Sequence, residues 1–176
     1  MKVFSYKDVS AVDWDNVCDQ SSEAWLFHRS AWITLEVSHF KYSNRSFAIE
    51  DKGRIVAVQP LYFSDSSSGA ADERLLHSGI HRHTGLACLN ILDSGLRRAV
   101  QAETMRHIHD VAHRDEAHRI QLNCQNLAPA NRGASREEIP FWVLDHGYYL
   151  GLNCSPGGIA PAPGMATCNA DQVIDL

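Results

Sequence analysis

The chain has 176 residues, of which 44% are hydrophobic and 21% are charged, and its formal net charge is −5. That length suits one domain with its own core, and the lack of any concentrated positive charge argues against a nucleic-acid-binding patch in this segment. No apolar run reaches the roughly 20 residues that a membrane-spanning helix needs. The five cysteines show no CxxC spacing. An odd number of scattered cysteines is typical of reduced thiols, so the composition favours a cytoplasmic protein.

The chain opens with a predicted strand and two predicted helices. Residues 1–6 alternate in polarity and predict a short strand. Ser10 is placed to cap the first helix. The second helix begins near Ser30, and we expect Trp32 and Leu35 on this helix to anchor it to a sheet.

A predicted hairpin over residues 46–63 forms the centre of the sheet. Asp51-Lys52-Gly53 supplies the turn residues that a tight hairpin needs. The second strand is apolar enough to lie inside the sheet. Pro60 cannot donate a ladder hydrogen bond, so it predicts a bulge or the end of that strand.

The middle of the chain predicts a strand, a long helix and a second strand. Residues 64–71 have the composition of a loop, and residues 74–80 form the next candidate strand. Asp93-Ser94 supplies caps for a helix from about Gly95 to Arg114, which carries one apolar stripe. The alternating residues 119–124 predict a strand after it. A strand, helix and strand of this spacing indicate a right-handed crossover with parallel pairing.

The last part of the chain predicts a helix at 135–146, with Ser135 as its cap, and a strand at 148–152. Residues 154–170 are rich in Gly and Pro and predict a loop. Residues 172–176 predict a final strand. Because the chain stops inside this strand, we expect it to continue in a longer protein.

The segment FHRSAW, followed by SFAIEDKGRIVAVQPL, resembles the opening of the FemAB-like branch of the Gcn5-related N-acyltransferase (GNAT) superfamily. The matching residues are Phe27, His28, Trp32, Gly53, Ile55, Val56, Pro60 and Leu61. The resemblance implies an α/β fold of the GNAT type, with a mixed twisted sheet and helices on both faces. Members often carry two such domains, so residues 1–176 are expected to form the first domain of a tandem pair.

The resemblance implies transfer of an acyl or aminoacyl group to an amine, as in building peptidoglycan cross-bridges. The acceptor would be a small-molecule or peptide amine, and the donor an acyl-coenzyme A or an aminoacyl-tRNA. His28-Arg29 stands where the peptidoglycan enzymes tend to have Gln-Ser, which weakens a muropeptide substrate. The alternative is a non-catalytic module of the same fold that binds an acceptor, a second GNAT-like domain or another copy of the chain.

The six residues Arg82 to Ala87 match the pattern Gln/Arg-x-x-Gly-x-Gly/Ala, with which GNAT enzymes bind the pyrophosphate of coenzyme A. The resemblance therefore implies a cofactor site at Arg82, Gly85 and Ala87. In that motif the phosphates meet free N–H groups at a helix N-terminus. Here the helical stripe starts about ten residues later than the motif requires, so a chance match is the alternative.

Three histidines near the matched segments have the right chemistry for a catalytic base: His28, His81 and His83. Direct acyl transfer to an amine needs positioning, a base and donors to the developing oxyanion. The alternative for each is a structural or solvated histidine. His109 and His113, four apart on the long helix, share a face as zinc ligands do, but no third ligand is specified, so we expect no metal.

Overall fold

The computed structural model describes residues 1–66, 73–79, 85–123, 128–131, 142–143, 149–151 and 169–173. Within these residues the chain is a mixed α/β domain. Its helices are α1 Ala11–Asp19, α2 Ser30–Phe40 and α3 Ser94–Arg114. Its strands are β1 Lys2–Ser5, β2 Ser43–Asn44, β3 Phe47–Asp51, β4 Arg54–Gln59, β5 Tyr62–Ser66, β6 Glu73–His77, β7 Ala87–Cys88, β8 Arg119–Asn123, β9 Tyr149–Gly151 and β10 Asn169–Val173.

The strands form two sheets, and the chain passes from one sheet to the other between β4 and β5. One sheet has the order β1-β3-β4-β7, and the other has the order β2-β5-β6-β8-β10-β9. The pair β6–β8 is parallel, with Leu76 opposite Ile120, and the other pairs are antiparallel. Helix α3 makes the crossover between β6 and β8, which confirms the predicted parallel unit.

The predicted hairpin is confirmed as β3 and β4. Lys52 and Gly53 form its two-residue turn, with φ angles of 50° and 83°, the left-handed geometry that matches the twist of the flanking strands. Strand β4 lies between β3 and β7 and ends at Gln59, so Pro60 marks the end of the strand as predicted.

Replacing Gly53 by alanine is expected to lower the free energy of unfolding by about 1–2 kcal/mol, because a Cβ is disfavoured in the left-handed region. A Cβ at this glycine would meet nothing within 4 Å, so the cost is conformational only. Urea unfolding measures it. Lys52→Asn is the matched control, since asparagine tolerates the left-handed region and is expected to leave stability unchanged or slightly higher. Equal losses in the two variants would contradict this interpretation.

At Pro60 the chain leaves one sheet and enters the other. Ser46 fastens this crossing, because its Oγ accepts a hydrogen bond from the Leu61 N–H at 3.0 Å and donates to the Leu61 carbonyl at 3.2 Å. The Arg45 N–H donates to the same carbonyl at 2.8 Å. The side chain of Ser46 therefore supplies bonds that the strand ladder lacks at this point.

Helix α1 begins as predicted, with the Ser10 Oγ accepting from the Asp13 N–H at 3.0 Å. The predicted face of α2 is wrong. Ile33 and Glu36 point into the core, whereas Leu35 is 54% exposed and Trp32 is only half-buried. Since a helix turns 100° per residue, a stripe through Ile33 and Glu36 leaves Leu35 on the opposite side.

Helix α3 agrees with the prediction in both its cap and its stripe. The Asp93 carboxylate accepts from the Leu96 N–H at 2.8 Å, and the helix ends at Arg114. The residues of the stripe that are buried are Val100, Thr104, Ile108 and Val111.

The remaining boundaries differ in part from the prediction. The loop predicted from Ser64 is wrong at its start, because β5 runs to Ser66. Strand β10 begins at Asn169, inside the predicted Gly/Pro-rich loop, and overlaps the predicted final strand. The predicted helix at 135–146, apart from residues 142–143, and most of the loop at 154–170 lie outside the described residues.

Candidate functional site

The parallel pairing of β6 and β8 ends at His77, and the polar side chains around that point form the candidate site. His77 lies opposite Gln121, and the next N–H, of Ser78, donates to the Gln121 carbonyl at 3.0 Å. Gly79 then turns the chain with a φ of 108°. In open α/β sheets, ligands bind beyond the carboxyl ends of the parallel strands. The carboxyl end of β6 is therefore the position at which this sheet would bind a ligand.

Three buried polar side chains from three elements meet there: Glu36 of α2, Tyr62 of β5 and His77 of β6. They are 2%, 0% and 4% exposed. Tyr62 and His77 are paired across the β5–β6 ladder, with ring centroids 5.7 Å apart. Trp32 Nε1 donates to Glu36 Oε2 at 3.1 Å, and the Tyr42 ring meets His77 edge-on at 4.8 Å.

The Tyr62 hydroxyl is buried and has no hydrogen-bond partner of normal geometry among the described residues. Burial raises the pKa of Tyr62, and the nearby negative charge of Glu36 raises it further. The phenol is therefore protonated throughout the physiological pH range. An unsatisfied buried hydroxyl costs about 1–3 kcal/mol, so its presence calls for an explanation.

His77 is held as a neutral ring. Its Nδ1 accepts from the Gly79 N–H at 3.2 Å, which places the proton of the neutral imidazole on Nε2. Burial lowers the pKa of His77 to about 4. At neutral pH this residue is consequently an N–H donor rather than a charged group.

His28, a predicted base, is fully buried at the turn before α2. Its Nδ1 accepts from the Trp25 N–H at 3.1 Å, and its Nε2 lies 3.0 Å from the Gly85 carbonyl. Burial lowers the pKa of His28 to about 4. Since both ring nitrogens face main-chain groups, this arrangement favours a role in fastening Gly85 to the turn over a role in proton transfer.

The other predicted site residues are only partly visible. Gly85 and Ala87 are buried, and Ala87 pairs with Val58 inside the sheet. The remaining predicted site residues, His81, Arg82 and His83, lie outside the described residues. Among the described site residues, the structure brings His28 and Gly85 together. Neither residue lies at the start of a helix, where a phosphate-binding motif of this kind would have to be.

Sequence reasoning missed Glu36, Tyr62 and His77. A carboxylate on the buried stripe of a helix is the signal that points to Glu36, once the phase of α2 is set by Ile33. His77 stands just before Gly79 at a strand end, which is a weaker signal. No sequence signal points to Tyr62, because its pairing with His77 depends on the register between β5 and β6.

The start of α3 does not fit the pyrophosphate of coenzyme A. Strand β7 begins at Ala87, the last residue of the Arg82–Ala87 motif, and this helix begins only at Ser94. The helix N-terminus is capped by the carboxylate of Asp93. A second carboxylate, of Glu23, accepts a hydrogen bond from Arg97 of the same turn at 2.8 Å. Asp93 therefore takes up an N–H group of this turn, and Glu23 neutralises its cation.

The described residues contain no group of three potential metal ligands. Of the two histidines that are four residues apart on α3, His113 is exposed and His109 is half-buried. In the same part of the chain, no helix is long and apolar enough to cross a membrane.

The comparisons with known proteins show the class of fold, which is that of the GNAT acyltransferases. The GNAT domain of PAT from S. lividans superposes with a TM-score of 0.55 at 13% identity, over 98% of this chain and 89% of that one. Ribosomal-protein-alanine N-acetyltransferase from Brucella melitensis gives 0.52 at 11% identity, over 99% and 100%. These likenesses confirm the predicted GNAT-type fold.

A weaker likeness is to FemX, with a TM-score of 0.47 and 15% identity. It covers 69% of this chain, which spans only 27% of FemX. No protein-family model and no curated protein matches the chain.

Proposed function

We propose that this domain takes part in acyl transfer to an amine and that Glu36, Tyr62 and His77 form the reacting site. The fold supports the class of reaction, since the S. lividans domain is a GNAT domain and the Brucella melitensis protein is an N-acetyltransferase. The observation that carries the proposal is the buried set of one carboxylate and two hydrogen-bond donors at the carboxyl end of β6. The acceptor would be a primary amine on a small molecule or peptide.

Glu36 suits the amine. A carboxylate that is 2% exposed can accept a hydrogen bond from the N–H of a neutral amine, which is the form of the amine that attacks an acyl carbon. An amine must lose a proton as its nitrogen bonds to the acyl carbon and the bond to the leaving group breaks. Glu36 is positioned to receive that proton, while Trp32 Nε1 holds one of its oxygens in place.

Tyr62 and His77 suit the acyl carbonyl. The Tyr62 hydroxyl stays protonated, and His77 carries its proton on Nε2, so both are neutral donors at pH 7. Donors fixed before the reaction stabilise the oxyanion that develops on the carbonyl oxygen. A ligand oxygen would also give the Tyr62 hydroxyl a hydrogen bond of normal geometry, which it lacks among the described residues.

Tyr62→Phe is expected to lower the rate of acyl transfer by about 100-fold or more, because one oxyanion donor is lost. The same variant removes a buried hydroxyl that makes no hydrogen bond of normal geometry but lies beside the Glu36 carboxylate, so we expect the free energy of unfolding to change by less than about 1 kcal/mol. Transfer from p-nitrophenyl acetate to a panel of primary amines measures the rate, since this donor carries no phosphate. Urea unfolding measures the stability.

Glu36→Gln in the same assay should lose transfer to a similar extent and weaken amine binding. Glu50→Gln is the matched control, since Glu50 lies on β3 outside the cluster, and it should react at the wild-type rate. An unchanged rate in both Tyr62→Phe and Glu36→Gln would refute the assignment of the site.

A non-catalytic module is the second candidate, as the first domain of a tandem pair that binds the acceptor or a partner domain. The carboxylates of Asp93 and Glu23 at the start of α3 favour it, because they oppose a nucleotide-linked donor. Calorimetry distinguishes the two functions. Amine binding that depends on Glu36 without any transfer would favour the module, and binding with transfer would favour the enzyme.

A further inference from the structure

The N-terminus of α3 is the position at which a GNAT fold offers free N–H groups to the phosphates of its donor. Helix N-termini attract anions because their N–H groups lack partners and the helix dipole is positive there. In this chain the exposed residues Ser94 and Gly95 form the first turn of α3. The identity of the groups around that turn decides whether an anion is accepted.

Asp93 covers this turn from one side. Its Oδ1 accepts from the Leu96 N–H at 2.8 Å. The same oxygen lies 3.2 Å from the position that a Cβ on Gly95 would take. The carboxylate therefore stands over the first turn and already binds one of the N–H groups that a phosphate would use.

Glu23 closes the site from the loop after α1. Its Oε1 accepts from Arg97 Nη1 at 2.8 Å, and its Oε2 accepts from the Cys88 N–H at 3.0 Å. The two side chains of this ion pair are 26% and 28% exposed. Glu23 thus neutralises the cation of this turn and takes up an N–H group of β7.

The same loop is fastened to the segment between β7 and α3 by a second set of bonds. Asn90 Oδ1 accepts from both the N–H and the Oγ of Ser22 at 2.9 Å. The Asn90 N–H donates to the Gln20 carbonyl at 3.1 Å. Glu23 is therefore held in place beside the helix start rather than free to swing away.

We propose that Asp93 and Glu23 occupy the anion-binding positions at the start of α3, so that this domain does not hold an acyl donor through a diphosphate at this helix. A bound diphosphate would have to displace the Asp93 carboxylate from the Leu96 N–H, and it would not find a free cation in Arg97, which Glu23 neutralises. A like-charge contact with Asp93 weakens its binding by roughly fivefold or more. The donor of any transfer reaction is then held by other groups. This inference goes beyond the Glu36 site and does not depend on it.

The test is an NMR titration of the amides of Ser94, Gly95 and Leu96 in the wild-type chain and in the double variant Glu23→Gln/Asp93→Asn. Asparagine keeps the helix cap, and glutamine keeps one of the two acceptor oxygens of Glu23, while both charges are removed. The probes are coenzyme A and ADP, which carry a diphosphate, and pantetheine, which carries no phosphate. Asp110→Asn removes a charge from the exposed face of the same helix and is the control.

We expect the wild-type and Asp110→Asn amides to be unmoved by coenzyme A and ADP up to about 5 mM. In the double variant both probes should shift these amides with millimolar affinity, at least about tenfold tighter than the wild type, and pantetheine should not. Wild-type shifts that saturate with coenzyme A would overturn the inference. So would a double variant that binds neither diphosphate, because the carboxylates would then not be the cause.

Discussion

Acidification from about pH 7.5 to about pH 4.5 is expected to remove several kcal/mol from the free energy of unfolding. Burial lowers the pKa of His28 and of His77 to about 4 in the folded chain, against an ordinary value of 6.5. As the pH falls below 6.5, these two histidines bind protons in the unfolded chain but remain neutral in the folded chain. The stabilisation from the neutral rings is therefore complete above pH 6.5 and is lost as the pH approaches 4.

The size of the effect follows from the shift, since one pKa unit corresponds to 1.36 kcal/mol, so each histidine accounts for at most about 3 kcal/mol. Urea unfolding at a series of pH values measures it in the wild type, His28→Gln and His77→Gln. Each variant should start less stable at neutral pH and then show a shallower loss on acidification. His113→Gln, on the exposed face of α3, should follow the wild-type slope. Curves that stay parallel in all four proteins would contradict the assignment.

Trp14→Ala is expected to cost about 3–5 kcal/mol of the free energy of unfolding, the range for deleting a large buried ring. Trp14 is fully buried on α1, and its Nε1 donates to the His28 carbonyl at 2.7 Å. Its ring also meets Tyr6 edge-on at 5.0 Å. Thermal and urea unfolding measure the loss.

Two further variants separate the contributions of Trp14. Trp14→Phe keeps a ring but leaves the buried His28 carbonyl without this donor, so it should lose less than Trp14→Ala. Val12→Ala, on the same helix at a side chain that is 70% exposed, should change stability by less than about 0.5 kcal/mol. A loss below about 1 kcal/mol in Trp14→Ala would mean that α1 is not anchored through this residue.

Local signals explain which elements were predictable. The turn residues Lys52 and Gly53 define the hairpin because few residues adopt left-handed angles. Asp93 defines the start of α3 because its side chain bonds the free N–H of Leu96. The parallel pairing of β6 with β8 then follows from the length of the connection. For the hairpin and the start of α3, the cause lies within a few residues of the effect.

The candidate site depends on contacts that sequence patterns do not contain. Tyr62 and His77 are 15 positions apart, and only the β5–β6 register makes them neighbours. Glu36 sits on the buried face of α2, where an apolar residue is the usual choice, because Trp32 supplies a donor and Tyr62 lies close by. Propensity and periodicity cannot weigh such partners in advance.

The role of His28 could not be determined from the sequence either. An imidazole near a matched motif is chemically able to act as a base, and the sequence shows only this chemical ability. The structure adds the two main-chain partners, Trp25 and Gly85, and the complete burial that keeps the ring neutral. The surroundings of a histidine, more than its neighbours in sequence, decide which role it takes.

The crossing at Pro60 also determines where Tyr62 is placed. Ser46 and Arg45 hold Leu61 by three hydrogen bonds at the point where one sheet becomes the other. Tyr62, the next residue along the chain, is therefore held by Leu61 on one side and by its pairing with His77 across the β5–β6 ladder. The position of the Tyr62 hydroxyl thus depends on Ser46 and Arg45, two residues outside the proposed site.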